Sequence, residues 1–255
     1  MKLFNSLFSA FSMYSKIPVP NVEWKEENRR YALCFFPLIG MVIGALLLLW
    51  QWLCGKLGIN AFLFAAGCTL IPVVITGGIH MDGFLDVMDA QASCQTKEKK
   101  LQIMSDSHIG AFAVIKVCMY FIAVLGLFSQ LQEKRAMQAV AVGFIVSRAL
   151  SALAAVTFKS AKKEGTLQSF VQPAHKKITI TVLLSILFAC VAFLLWVTPF
   201  YGISSMLAAG VTFTYYRLFS YRTYDGITGD LAGYFLQLCE LAILEAIVLT
   251  QLCMN

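Results

Sequence analysis

The sequence predicts an all-α fold: a polytopic integral-membrane bundle of about seven transmembrane helices, forming one domain over residues 1–255. Three observations carry that prediction. Of 255 residues, 59% are hydrophobic and 13% charged, about half the charge of an ordinary soluble domain. The apolar residues fall in runs long enough to cross a bilayer, for which ~20 residues suffice. Basic residues gather in alternate connections between those runs, the asymmetry that sets membrane orientation.

From the amino terminus, Leu3, Phe4, Leu7, Phe8 and Phe11 recur at helical spacing, with Asn5, Ser6, Ser9 and Ser12 between them. That pattern over residues 1–17 suits a short interfacial helix lying along the bilayer surface. Little charge precedes these apolar positions, no small-x-small cleavage site follows, and the segment runs into Ile17-Pro18-Val19-Pro20. A cleavable signal peptide is therefore not expected. Seven membrane-length runs come next, at 32–54, 61–79, 109–129, 138–158, 178–198, 200–219 and 231–251.

With the amino terminus in the cytoplasm, the inner segments hold fifteen lysines and arginines, Lys97, Lys99, Lys100, Lys159 and Lys162 among them. The outer loops hold only Lys56, Lys134 and Arg135. This bias places the amino terminus inside and the carboxyl terminus outside. The net charge of +6 then reports topology, calls for no nucleic-acid partner, and makes the inner face attractive to phosphorylated substrates. Eight cysteines are present without a Cys-x-x-Cys pair. Seven lie in or at the ends of apolar runs, where thiols act as small buried hydrophobes; Cys94 is the exception, an incidental thiol near the acidic loop.

The most telling segment closes the second run: Gly77-Gly78-Ile79-His80-Met81-Asp82-Gly83-Phe84-Leu85-Asp86-Val87-Met88-Asp89. Asp82, Asp86 and Asp89 fall within roughly 60° of arc on one helical face. Like charges that close either take up protons or share a cation, and carboxylate oxygens suit Mg²⁺ held together with substrate phosphates. Residues 80–108 thus form a cytoplasmic acidic segment, with Asp106 returning to the membrane surface before the third run. Thr228-Gly229-Asp230 opens the seventh run in the same leaflet. Thr228 and Asp230 also suit an ordinary helix N-cap. Four charges lie inside the runs: Lys116, Arg148, Glu240 and Glu245. Such groups usually face the bundle interior. Arg148 either pairs with Glu240 or Glu245 or, like Lys116, holds a substrate phosphate.

Gly77-Gly78-x-His80-x-Asp82-Gly83-x-x-Asp86-x-x-Asp89, then Ile103-Met104-x-Asp106-Ser107-x-x-Gly110, then Thr228-Gly229-Asp230 resemble the cobalamin synthase family. These are integral-membrane adenosylcobinamide-GDP ribazoletransferases. Ile17-Pro18-Val19-Pro20 and Phe36-Pro37-Leu38-Ile39-Gly40 resemble the same family, so the likeness covers nearly the whole chain in order.

The resemblance implies a phosphoryl-group transfer at the cytoplasmic face of the bacterial inner membrane. A hydroxyl of α-ribazole, or of its 5′-phosphate, attacks the corrinoid-side phosphorus of adenosylcobinamide-GDP, and GMP leaves. Adenosylcobalamin or its 5′-phosphate results, completing the nucleotide loop. Mg²⁺ is the implied cofactor, with Asp82, Asp86, Asp89, Asp106 and Asp230 as its ligand candidates. Asp82, Asp106 and His80 are the catalytic candidates, His80 either taking the hydroxyl's proton or holding the loop. Gly77, Gly78 and Gly83 would let phosphate approach backbone N–H groups, while Ser107, Thr228, Lys116 and Arg148 would contact it. The lipid bilayer is a partner, and a homo-oligomer a possible assembly. Two positions depart from the family's pattern: His108 stands where arginine is common, and Asp225 where glycine is expected.

Two other classes fit less well. CDP-alcohol phosphotransferases are also Mg²⁺-dependent membrane enzymes, but they need Ala-Arg shortly after the first Asp-Gly, and Asp86-Val87 stands there. An ion-coupled transporter would use Pro37 or Pro72 as helix breaks, with carboxylates near the midplane and internal symmetry. Most aspartates here sit at one surface, and no repeat is evident.

Overall fold

The computed structural model describes residues 2–106, 108–131, 133–162 and 164–254. Among these, twelve helices follow in order: α1 Lys2–Tyr14, α2 Glu26–Arg29, α3 Ala32–Leu57, α4 Ala61–Thr76, α5 Ile79–Ala92, α6 Lys97–Ile103, α7 Ala111–Gln130, α8 Lys134–Thr157, α9 Thr166–Val171, α10 Lys176–Val197, α11 Pro199–Tyr224 and α12 Gly229–Met254. Five of them, α3, α7, α8, α10 and α12, are long and apolar enough to cross a membrane, and α4 with α5 makes a sixth, bent candidate. The expected sixth span, 200–219, coincides with α11. That helix has 26 residues, but serines, threonines, tyrosines and arginines dilute its apolar character.

The bend has a local cause. Gly77 and Gly78 take φ of 64° and 79°, two successive left-handed residues that glycine adopts without steric cost. They end α4 and turn α5 away by 95°. Thr76 Oγ1 donates back to the carbonyl of Pro72 at 2.8 Å, the i−4 back-bond that a helical threonine makes in its last turn. With three carboxylates in 14 residues, α5 does not continue the crossing. It packs instead against α12 and α7.

There α5 meets α12. An added Cβ at Gly83 would lie 2.8 Å from the carbonyl oxygen of Asp230, and one at Gly233 would lie 2.9 Å from that of His80. Two side-chain-free surfaces therefore bring the backbones together. α8 runs through the bundle centre, its small residues Ala139, Ala149, Ala152 and Ala154 almost wholly buried. α1 docks through Ser6, Ser9 and Ala10, leaving Leu3 and Phe4 exposed. The Lys16 N–H donates to Ile75 O at 2.8 Å, which anchors the end of α1 to the α4–α5 bend. Five cysteines are buried, whereas Cys118 and Cys253, also expected inside, are exposed; each lies on a helix side that no neighbour covers.

Because the atoms facing Gly83 are backbone, they cannot swing aside. Gly83→Ala is expected to cost ~1–3 kcal/mol through overpacking and to lower the thermal midpoint in detergent. Gly210→Ala, which meets nothing within 4 Å, is the matched control and should leave the midpoint unchanged or slightly raised.

Candidate active site

The α5–α12 contact places two carboxylates together. Asp82 and Asp230 each lie in the first turn of their helix, where unpaired N–H groups and the helix dipole favour negative charge. Both line a chamber of about 240 Å³ walled by Tyr14, Phe36, His80, Ser151, Ala152, Ala155 and Leu236. Asp230 also lines a second cavity of about 240 Å³, bordered by Ser105, Ser160, Lys162, Glu164 and Thr228. Thr166, Leu167, Gly229 and Asp230 are common to the two. The site is therefore bipartite: a polar mouth opens onto a largely apolar chamber, and Asp230 stands at their junction.

A clip between two loops shapes the mouth. Ala161 N–H donates to Ile227 O, and Ile227 N–H to Lys159 O, both at 2.9 Å. This short parallel bridge holds the segment after α8 against the start of α12, and Lys162 Nζ donates to Ser105 Oγ at 2.9 Å. Burial, and then the charges of Asp82, Asp230 and Asp89, push the Asp86 carboxyl up to about 7, with Lys162 opposing. Four carboxylates thus sense one another in one region. Lys162 is close enough to act on Asp86 and Asp230 alike.

The remaining candidates separate. Asp89 Oδ1 lies against Gly110, 2.0 Å from where a Cβ would stand there, so its carboxylate faces the start of α7. Asp106 lies in the following loop, where its Oδ1 accepts from the His108 N–H at 3.0 Å and meets His108 Nδ1 at 2.7 Å. It lines neither cavity. Among the described residues, no three acidic, imidazole or thiol groups form a metal site by themselves. Ser107 lies outside the described residues.

Several expected phosphate contacts have other roles. Gly83 is covered by the Asp230 backbone and Gly77 by the Lys16 side chain, while Gly78 faces open space. Thr228 caps α12, its Oγ1 accepting from Leu231 N–H at 3.2 Å. Lys116 is on the exposed face of α7, beside Ile115 and Met119, because helical periodicity turns it away from the chamber. Arg148 is 1% exposed and bonded to Glu240 at 2.6 Å; Ser147 Oγ joins the same carboxylate at 3.1 Å. The pairing reading of Arg148 is thus the one that the geometry supports, with Glu240 rather than the exposed Glu245. Asp225 has φ 59° as the left-handed cap of α11, which explains why glycine suits that position, and its carboxylate pairs with Lys97.

Sequence reading missed Tyr14, Phe36, Ser151 and Lys162 as site residues. Phe36 lay within a quoted motif and Lys162 within the inner positive charge. Ser151 and Ala155 follow Arg148 along a helix without any motif to flag them.

The family model for cobalamin-5-phosphate synthase matches residues 6–248. The chain belongs to that family. Among curated relatives, an adenosylcobinamide-GDP ribazoletransferase of Lachnoclostridium phytofermentans is 47% identical over 98% of this chain and 96% of its own length. Proteins of the same name from Clostridium botulinum and Ralstonia nicotianae are 33% and 30% identical, each covering 94% of this chain and 95% and 93% of their own lengths. No solved structure matches the chain. The cobalamin-5-phosphate synthase motifs at residues 77–89 and 228–230 are the segments that the α5–α12 contact joins.

Removing one partner of a buried ion pair strands the other charge, at a cost of ~3–5 kcal/mol. Arg148→Met should therefore lose most folded, monodisperse protein in detergent. The double variant Arg148→Met with Glu240→Met should recover most of that yield, measured by size-exclusion chromatography. Failure of the second change to rescue the first would point to a role for Arg148 beyond this pair.

Proposed function

We propose that this protein transfers the ribazole group, free or as its 5′-phosphate, to GDP-activated adenosylcobinamide, releasing GMP and completing the nucleotide loop. The observation that carries this reading is the meeting of Asp82 and Asp230 where a polar mouth joins an apolar chamber. A ribose hydroxyl attacks the corrinoid-side phosphorus, the bond from that phosphorus to the bridging oxygen breaks, and GMP takes the bond's electron pair. The hydroxyl's proton passes to a carboxylate of the cluster. Two helix N-termini and Lys162 supply positive potential for the diphosphate.

The donor set suits Mg²⁺. The carboxylates of Asp82, Asp86 and Asp230 outnumber the single lysine, Lys162, that acts on them, and Mg²⁺ is commonly bound by one or two carboxylates plus substrate phosphate oxygens. Asp82 and Asp230 would hold it, with Asp86 beside them. When bound, it would neutralise charge growing on the leaving phosphate. Asp89 and Asp106 fit positioning roles better, Asp89 at the start of α7 and Asp106 on His108. We place the site on the cytoplasmic face of the inner membrane, since Lys162 lines the mouth and the segments that flank it, α6 and the loop after α8, carry the basic residues that mark the inner side.

Purified protein given adenosylcobinamide-GDP and ribazole phosphate should release GMP only with Mg²⁺, and chelation should abolish turnover. Asp82→Asn and Asp230→Asn should each lower kcat by about a hundredfold or more while remaining folded; full turnover in either would remove it from the metal set. Lys162→Ala should raise the KM for the activated corrinoid about tenfold, the scale of one charge-assisted hydrogen bond.

A further inference from the structure

The inner chamber contains polar side chains that the transfer chemistry leaves unused. His80 and Ser151 are 5% and 4% exposed. Neither makes a hydrogen bond to another described residue through its side chain, and His80 Nε2 is buried without a partner. The imidazole packs beside Tyr14, with ring centroids 6.2 Å apart and planes 22° apart, and edge-on to Phe36 at 5.7 Å. Ala152, Ala155 and Gly233 complete the walls. A buried polar group without a partner costs ~1–3 kcal/mol, a cost that a bound molecule with a complementary atom would remove.

We propose that this chamber is the specificity pocket for the flat heterocyclic base of the riboside, with His80 hydrogen-bonded to the base's free ring nitrogen. The proposal rests on the transfer reading above. Three properties argue for it. The volume of about 240 Å³ accommodates a fused two-ring heterocycle and excludes a corrin. Aromatic rings and small residues together line the walls, leaving room for a planar group to pack against the rings. Polarity then selects between the two bases that the reaction brings. A benzimidazole joined to ribose through one nitrogen has a single in-plane polar atom left, its second ring nitrogen. The buried imidazole has no protein partner at Nε2 and a ring N–H to donate, which meets that acceptor. The guanine of the activated corrinoid carries polar atoms on nearly every edge, most of which this chamber would leave unpaired. Guanine therefore stays outside, and the diphosphate spans the polar mouth.

The attacking nucleotide would then enter base first, its ribose hydroxyls held near Asp82 and Asp230, which line the same chamber. His80 is a positioning and specificity residue in this arrangement. Its buried ring, set away from the mouth, does not serve as the reaction's base.

The test uses full-length protein in nanodiscs, with binding and turnover measured separately. Binding is read by calorimetry with benzimidazole riboside phosphate, its indole analogue (carbon replacing the free nitrogen) and GDP, without the corrinoid substrate. Wild type should prefer benzimidazole to indole by at least tenfold, the range found when a polar site loses its partner. His80→Phe should abolish that preference, and His80→Gln should keep part of it. Ala155→Leu, which fills the slot, should raise the KM for the riboside about tenfold or more and leave the KM for adenosylcobinamide-GDP within twofold. Should Ala155→Leu fail to fold, Ser151→Val narrows the same slot.

Equal binding of benzimidazole and indole ribosides by wild type would overturn the assignment, as would a preference that survives in His80→Phe. Loss of GDP affinity in the slot-filling variants would assign the chamber to guanine instead, and overturn it too. The underlying transfer reading fails separately, by an absence of GMP release from wild type with both substrates and Mg²⁺, and the calorimetric arms do not depend on that release.

Discussion

Everything at the site depends on how closely α5 approaches α12. Where Gly83 faces the Asp230 backbone and Gly233 faces that of His80, no side chain intervenes, so two helices meet at backbone distance. Asp82 and Asp230, which belong to opposite ends of the sequence, become neighbours for that reason alone. Packing this tight is unforgiving, since interiors at native density cannot absorb even one additional carbon without strain. It also buries and gathers like charge, and burial first, with the neighbouring aspartates second, raises the Asp86 carboxyl to about 7.

A second constraint fixes the bundle around this contact. The Arg148–Glu240 pair joins the centre of α8 to α12, with Ser147 and the Phe144 carbonyl taking further bonds. Charges in an apolar interior are tolerated when mutually satisfied. Their geometry sets the rotation of α12 about its axis, and hence where Asp230 points. The loop clip at Ile227 does the same at the polar end. The Gly77–Gly78 bend and the anchored end of α1 fix the start of α5 in the same way.

Local signals in the sequence proved readable. Run length and composition marked the membrane helices, since a helix in lipid must satisfy its own backbone and show apolar side chains. The Gly77-Gly78 pair marked the break, and the Asp82–Asp89 spacing marked one charged face. α11 was legible as a helix but weaker as a span, because Ser204, Ser205, Thr212, Thr214 and its tyrosines face neighbours and interior as often as lipid. Thr228 was legible as a cap, and it is one. Lys116 illustrates the converse: its depth in a run followed from counting residues, but the face it occupies depends on which side of α7 the bundle covers.

What the sequence determined by itself was class, helix positions, the acidic motifs and the resemblance that joins them, because each depends on residues within a few turns of one another. What only the tertiary structure decided was partnership. Asp230 rather than Asp106 joins Asp82 in lining the chamber, Lys162 serves the mouth, and Tyr14, Phe36, His80 and Ser151 wall the chamber. Those outcomes follow from helix crossings between segments far apart in the chain. Periodicity constrains each helix face, and the fold alone specifies which faces meet.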